Sequence, residues 1–165
     1  MVYTRLHGVN GPMPRLLRVK GSDPTIKVAY TVDQAVGQGC PSRREDVLLV
    51  QHLLRIAWND AGASKGFRPP GETEPLKADG MFGPKTAKFI KFFQEEAIRR
   101  GANCATDQRV DPAVSGTSSG GLSGKFYTIL AMNSARNSRQ RGNQDDISLD
   151  PMFPAELTKH FTIIW

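Results

Sequence analysis

The sequence predicts a mainly helical α+β fold, with a core of three helices, a small β-hairpin before that core and one β-strand at the end of the chain. Apolar residues recur with helical spacing in three stretches, which begin near positions 43, 84 and 122. Near the amino terminus, two short stretches instead alternate apolar and polar side chains, with turn-forming residues between them. A chain of 165 residues suffices for one domain with a core and is short for two.

We therefore expect a single domain over 1–165 with three parts: an amino-terminal arm and hairpin (1–36), the helical core (37–135) and a tail with the final strand (136–165). The hairpin strands are predicted over 16–20 and 25–31. Two strands alone are marginally stable, so they need a helix or a third strand beside them. The β-branched and aromatic run 161–165 is the predicted third strand.

The first helix is predicted to follow Ser42-Arg43-Arg44-Glu45, a pattern typical of a capping box. From Asp46 to Trp58, apolar residues cover more than one stripe of the helix surface. We therefore expect neighbours on two sides of this helix. Gln51, His52 and Arg55 fall on the less apolar side, and we interpret His52 as a surface residue.

A corner is predicted directly before the second helix. Gly80 is expected at a positive φ, Gly83 as a small N-cap and Pro84 at the first helical position, where a missing N–H costs nothing. The carboxylate of Asp79 can accept hydrogen bonds from backbone N–H groups and hold the loop closed. Phe82 is the apolar side chain that fixes the corner to the core.

The second helix is predicted from Pro84 to Arg100, with Gly101 at its end. One face carries apolar side chains and the opposite face carries lysine and arginine. Phe92 falls among the cations, which leaves two interpretations open. It is either packed beneath another segment or an exposed stacking surface.

Asp107 to Ala113 repeats the frame of the first corner: an aspartate, two residues, an apolar residue, a turn residue and a proline. We interpret this as a degenerate internal repeat, in which each corner leads to a helix. A Ser/Gly-rich insertion over 115–121 delays the third helix, which is predicted over 122–135. The candidate corner residues are Asp79, Gly80, Pro84, Asp107, Asp111 and Pro112.

This order of helix, corner, helix and corner resembles the peptidoglycan-binding-like domain family, over about residues 37–135. The residues that carry the resemblance are Asp46, Val47, Val50, Gln51, Leu53, Leu54, Asp79, Gly80, Phe82, Gly83, Pro84, Lys85, Thr86, Phe93, Gln94, Asp107, Val110 and Pro112. The resemblance implies a three-helix core and a non-catalytic, wall-targeting role. The sequence departs from the family in a longer loop over 59–75 and in Gln108 and Asp111, which replace glycine in the second corner.

The chain is basic, with 22 Lys and Arg against 16 Asp and Glu and a net charge of +6. This charge suits an anionic partner such as a cell-wall polymer, nucleic acid or a membrane surface, although solubility alone explains it equally well. Nucleic acid is not favoured, because no aromatic and basic signature of a nucleic-acid module is present. No stretch is long enough to span a membrane, and the amino terminus lacks the apolar core of a signal peptide. We expect cytoplasmic synthesis without a signal peptide and action at the cell envelope, in a particle or in a secreted assembly.

The pattern of ionisable residues predicts no enzyme, no metal and no cofactor. His7, His52 and His160 are scattered, without a second ligand at metal-binding spacing. Cys40 and Cys104 are expected as free thiols, and neither has a motif that would make it a nucleophile.

The start of the second helix is the candidate binding site. Backbone N–H groups after Gly83 and the ammonium of Lys85 favour an anion, such as a peptide-stem carboxylate. Alternatively, Gln51, Gln94 and Asp79 simply tie the helices to the corners; this structural role is favoured for Asp79 and for Asp111. The candidate ligand-binding residues are Gln51, Phe82, Gly83, Lys85, Thr86, Phe92 and Gln94.

The sequence therefore predicts a non-catalytic protein, of a bacterium or a phage, that binds peptidoglycan or another anionic wall polymer. The alternative is a structural or assembly component of a phage, an injection machine or a secreted complex. Such a component would reuse the fold for protein contacts through the hairpin and the tail.

Overall fold

The computed structural model describes residues 14–18, 28–58, 66–113, 124–139 and 150–158. Its elements are two strands, β1 (Arg15–Arg18) and β2 (Val28–Thr31), and four helices, α1 (Arg44–Trp58), α2 (Pro84–Arg99), α3 (Thr128–Arg139) and α4 (Ala155–Thr158). The prediction of a mainly helical protein is confirmed. The predicted final strand over 161–165 lies outside the described residues, as does the insertion over 115–121.

Strands β1 and β2 pair antiparallel, with Arg15 opposite Thr31 and Arg18 opposite Val28. The support that two strands require comes from α3. The Asn133 side chain donates from Nδ2 to the Tyr30 carbonyl oxygen and accepts from the Tyr30 N–H at Oδ1, both at 2.8 Å. Both residues are fully buried, so this paired contact fixes β2 against the helical part of the molecule.

Helix α1 lies at the centre of the described structure and contacts α2, α3 and α4. Its burial on both sides confirms the expectation of neighbours in two directions. The prediction that His52 is a surface residue is wrong, because residues 150–158 cover that side of α1. The His52 ring is fully buried and stands perpendicular to Phe153, with 5.3 Å between ring centroids. Its Nε2 lies 4.0 Å from Asp150 Oδ2.

The predicted capping box at the start of α1 is also wrong. The Ser42 hydroxyl turns away from the helix and bonds the N–H and carbonyl of Gly37, each at 3.1 Å. Asp46, in the first turn, instead accepts hydrogen bonds from the backbone N–H groups of Asp33 and Gln34, at 2.8 and 3.0 Å. A buried carboxylate therefore joins α1 to the segment that follows β2.

Burial raises the pKa of Asp46 to about 6, although the two backbone N–H donors act in the opposite direction. The folded protein then holds this proton more tightly than the unfolded chain does, in which the pKa of the same carboxyl group is near 3.8. The free energy of unfolding is consequently expected to fall, by on the order of 2 kcal/mol, as pH rises between these two values. Urea unfolding across this pH range, compared with Asp46→Asn, isolates the contribution. A difference between the two proteins that does not change with pH would contradict the prediction.

Helix α3 begins at Thr128, later than predicted, and continues to Arg139, past the predicted end at 135. The delay arises because the residues before Thr128 pair with another segment. Phe126 forms a bridge with Cys104, and its N–H donates to the Asn103 carbonyl at 2.8 Å. Cys104 is buried, and both cysteines of the chain are free thiols.

Candidate functional site

The first corner has the predicted geometry. Gly80 has a φ of +73°, Gly83 is extended immediately before α2, and Pro84 is the first helical residue. The Asp79 carboxylate accepts from the Met81 N–H at 2.9 Å, and this hydrogen bond is the main cause that lowers the pKa of Asp79. Asp79 therefore closes the turn, as expected.

The side-chain amide of Gln51, on α1, organises this first corner. Its Nε2 donates to Asp79 Oδ1 at 3.0 Å, to the Met81 carbonyl at 3.1 Å and to Thr86 Oγ1 at 3.2 Å. Its Oε1 accepts from the N–H groups of Asp79 and Gly80, at 3.0 and 2.8 Å. One buried amide thus joins α1, the corner and the first turn of α2.

The second corner has the same arrangement around Gln94, on α2. Its Nε2 donates to Asp107 Oδ1 at 3.1 Å, to the Arg109 carbonyl at 2.9 Å and to Thr128 Oγ1 at 3.0 Å. Its Oε1 accepts from the Gln108 N–H at 2.9 Å. The buried amide again joins one helix, a corner and the first residue of the next helix.

The backbone of the two corners also corresponds. Asp107 Oδ1 accepts from the Arg109 N–H at 3.0 Å, as Asp79 accepts from Met81. Gln108 has a φ of +60°, in the left-handed region that Gly80 occupies in the first corner. This correspondence supports the interpretation of Asp107 to Ala113 as a degenerate repeat, and it shows that glutamine accepts the conformation that glycine would adopt at less cost.

Three predicted ligand-binding side chains are not accessible to a ligand. Gln51, Thr86 and Gln94 are exposed by only 1%, 3% and 0%, and their polar atoms bond the corners. A binding role for them is therefore wrong, and the alternative, that the glutamines tie helices to corners, accounts for them. Asp111 behaves differently from Asp79, because it pairs with the Arg109 guanidinium at the surface, at 3.3 Å.

The predicted anion site at the start of α2 already faces a carboxylate of the protein. Glu72 lies 2.7 Å from the Lys88 ammonium and 3.3 Å from that of Lys85. Hydrogen bonds from these lysines, with Lys88 the stronger, lower the pKa of Glu72. This contact could not be predicted from the sequence, because Glu72 lies in the loop before the corner, where no periodic pattern relates it to α2.

The two aromatic candidates are intermediate in exposure. Phe82 and Phe92 both pack against the core with part of their surface, so neither is a free stacking surface. The Arg99 guanidinium carbon lies 5.9 Å from the centroid of the Phe92 ring. Part of the Phe92 ring is therefore packed against the core, and part of it is exposed beside a cation.

A cleft of about 160 Å³ opens beside the second corner. One wall is the corner itself, and the other is the segment that leads into α3. The Lys125 ammonium donates to Asn103 Oδ1 at 2.9 Å, and the Phe126 N–H donates to the Asn103 carbonyl. These two hydrogen bonds hold the second wall in place. The lining residues are Ala105, Asp107, Arg109, Asp111, Lys125, Phe126, Tyr127 and Thr128.

The cleft is suited to a small polar ligand. It combines two cationic side chains, two carboxylates and two aromatic rings. Arg109 and Asp111 pair across 3.3 Å with about half of each side chain exposed, which is the weak kind of surface ion pair that a ligand can replace. The sequence signal for this site was Lys125-Phe126-Tyr127, a basic and aromatic triplet directly before α3. The prediction of a helix over these residues concealed it.

Within the described ranges, no group of three or more His, Cys, Asp or Glu residues is arranged to hold a metal ion. The helices in the same ranges include none that is long and apolar enough to cross a membrane. Comparison with protein-family models, with curated proteins and with solved structures finds no match to this chain.

Proposed function

We propose that this protein is a non-catalytic binding module for peptidoglycan or a related anionic wall polymer, built on a three-helix peptidoglycan-binding-like core over about 37–135. The observation that supports this most is the shared arrangement of the two corners. The residues that carry the resemblance, among them Gln51, Asp79, Gln94 and Asp107, have matching hydrogen-bonding roles in both copies. If the resemblance to the family were a coincidence of sequence, there would be no reason for the two corners to share these hydrogen bonds.

The surface chemistry is compatible with such a ligand. The peptide stems of the wall carry carboxylate and ammonium groups beside short apolar side chains, and the cleft offers partners for all three. The net charge of +6 adds a long-range attraction for an anionic polymer. We therefore place the specific contacts in the cleft and assign a steering role to the remaining positive charge.

Co-sedimentation with washed sacculi at physiological salt tests the proposal. The expected result is retention of the protein well above that of a basic control protein of similar size and charge. The control is needed because an anionic polymer retains any basic protein through charge alone. Retention equal to the control would overturn the wall-binding function. If light scattering then also showed a defined oligomer, the structural or assembly role would take its place.

The same assay distinguishes the cleft from the start of α2. Arg109→Ala is expected to reduce retention by about fivefold, the loss that corresponds to roughly 1 kcal/mol of binding free energy. Lys85→Glu and Phe92→Ala are expected to have smaller effects, because Glu72 already pairs with Lys85 and Phe92 is partly packed. Far-UV circular dichroism controls for folding. A larger loss of retention for Lys85→Glu than for Arg109→Ala would indicate that the binding surface lies on α2 and not in the cleft.

A further inference from the structure

We infer that the cleft beside the second corner binds a compact zwitterion, a ligand with its ammonium and carboxylate on one short carbon skeleton. The inference rests on the proposed function only for the source of the ligand. That source is the free amino-carboxylate end of a diamino acid in a wall peptide.

The charges of the cleft favour a zwitterion over a simple anion. Arg109 and Lys125 supply two positive charges, and Asp107 and Asp111 supply two negative charges, so the lining sums to zero. The whole protein, in contrast, carries +6. A dianion would meet a carboxylate for every cation in the cleft, whereas a ligand of both signs can pair with each.

The Asp107 carboxylate is held in place before a ligand arrives. Asp107 Oδ1 is fixed by hydrogen bonds from Gln94 Nε2 at 3.1 Å and from the Arg109 N–H at 3.0 Å. Its Oδ2 accepts no hydrogen bond from the residues that the structure describes, and the side chain is exposed. A carboxylate fixed by one oxygen and open at the other is a preorganised acceptor for an ammonium group.

The opposite charge and the apolar surface complete the site. The Arg109 guanidinium makes one contact with Asp111, at 3.3 Å, and a guanidinium has five N–H donors. It can therefore receive a ligand carboxylate through a bidentate pair. The rings of Phe126 and Tyr127 line the cleft beside these charges and offer contact to the carbon skeleton.

The first corner provides a control within the same chain. It has the same Gln51 and Asp79 arrangement, but Met81 stands where the second corner has Arg109, and Gly83 where it has Asp111. Helix α2 also begins directly after this corner, so the described residues include no segment between corner and helix that is equivalent to 124–127. The first corner is therefore expected not to bind the zwitterion.

Nitrogen–proton correlation spectra of the full chain, titrated with meso-diaminopimelic acid, test the inference. The expected result is saturable shifts over 105–111 and 124–128, with none over 77–83. Arg109→Ala and Lys125→Ala are each expected to weaken the interaction by at least about fivefold. Arg99→Ala, which removes an exposed cation on α2, is the matched control and should leave the titration unchanged.

Two further titrations define the ligand. Pimelic acid keeps both carboxylates without the amines, and the tripeptide L-Ala-γ-D-Glu-meso-diaminopimelate presents the zwitterion as the wall does. Tighter binding of the tripeptide supports the wall as the source, whereas equal affinity supports a free amino acid. Absence of saturable shifts, an equal response to pimelic acid, or shifts at the first corner would overturn the inference. Retention on sacculi without a response to diaminopimelic acid would remove this inference alone, and the reverse result would remove the wall-binding function alone.

Discussion

Gln51→Glu is expected to destabilise the protein by roughly 3–5 kcal/mol at neutral pH, because it puts a carboxylate oxygen where a buried amide nitrogen makes three donor contacts. That nitrogen faces Asp79 Oδ1, the Met81 carbonyl and Thr86 Oγ1 within 3.2 Å. The substitution keeps the shape of the side chain, so its cost is electrostatic. Chemical denaturation of the variant and the wild type measures it.

Gln38→Glu makes the same chemical change at an exposed position and should cost little. Protonation of the introduced carboxylate would restore one donor, so the cost of Gln51→Glu is expected to shrink at mildly acid pH. Hydrogen exchange localises the effect, because the Gly80 N–H bonds this side chain and should exchange faster when the weakened first corner opens more often. A cost no larger than that of Gln38→Glu would show that the amide does not hold the first corner.

Gln94→Glu is expected to have an effect of similar size, roughly 3–5 kcal/mol, since its side chain is fully buried and meets the same three kinds of acceptor. In this variant, the backbone N–H whose hydrogen exchange accelerates should be that of Gln108 rather than that of Gly80. The variant should also lose the zwitterion titration, because the same amide positions Asp107.

The comparison of the two variants tests whether the corners are equivalent. If Gln94→Glu proved nearly neutral while Gln51→Glu was severe, the second corner would owe its shape to the Val36 and Val110 backbone bridge and not to Gln94. Unchanged zwitterion binding in Gln94→Glu would likewise contradict the preorganisation of Asp107.

The first corner could be predicted from sequence because its geometry follows local rules. A positive φ at Gly80, an extended Gly83 and a helix that begins at Pro84 each depend on one residue and its neighbours along the chain. The mainly helical class followed similarly from periodic apolar residues. Predictions of this kind do not require knowledge of which segments meet.

The predictions that were wrong each concern a residue whose contacts come from a segment distant in sequence. His52 lies beneath residues 150–158, which cover that side of α1, and Lys85 pairs with Glu72, which the preceding loop places beside it. Ser42 fitted a capping box by local pattern, but Gly37 is its partner in the folded chain. A single sequence contains no signal for these contacts.

The candidate site divides in the same way. Gln51 and Gln94 were identified as important residues, but their burial, which decides between ligand binding and corner formation, depends on the packing of three helices. The cleft was missed because its second wall is created where the Phe126 backbone pairs with Cys104 instead of starting a helix. The repeat frame identified Asp107 and Asp111, and only the three-dimensional structure adds Arg109 and Lys125.

The most direct test of the proposed wall-binding function is an equilibrium isotherm on purified sacculi, measured at physiological salt and again at raised salt. The proposed function predicts saturation at a defined number of sites and substantial binding that persists at raised salt, because contacts in the charge-balanced cleft depend less on counterion release than general cationic attraction does. Uptake that never saturates, or that disappears at raised salt together with that of a basic control protein, would contradict it.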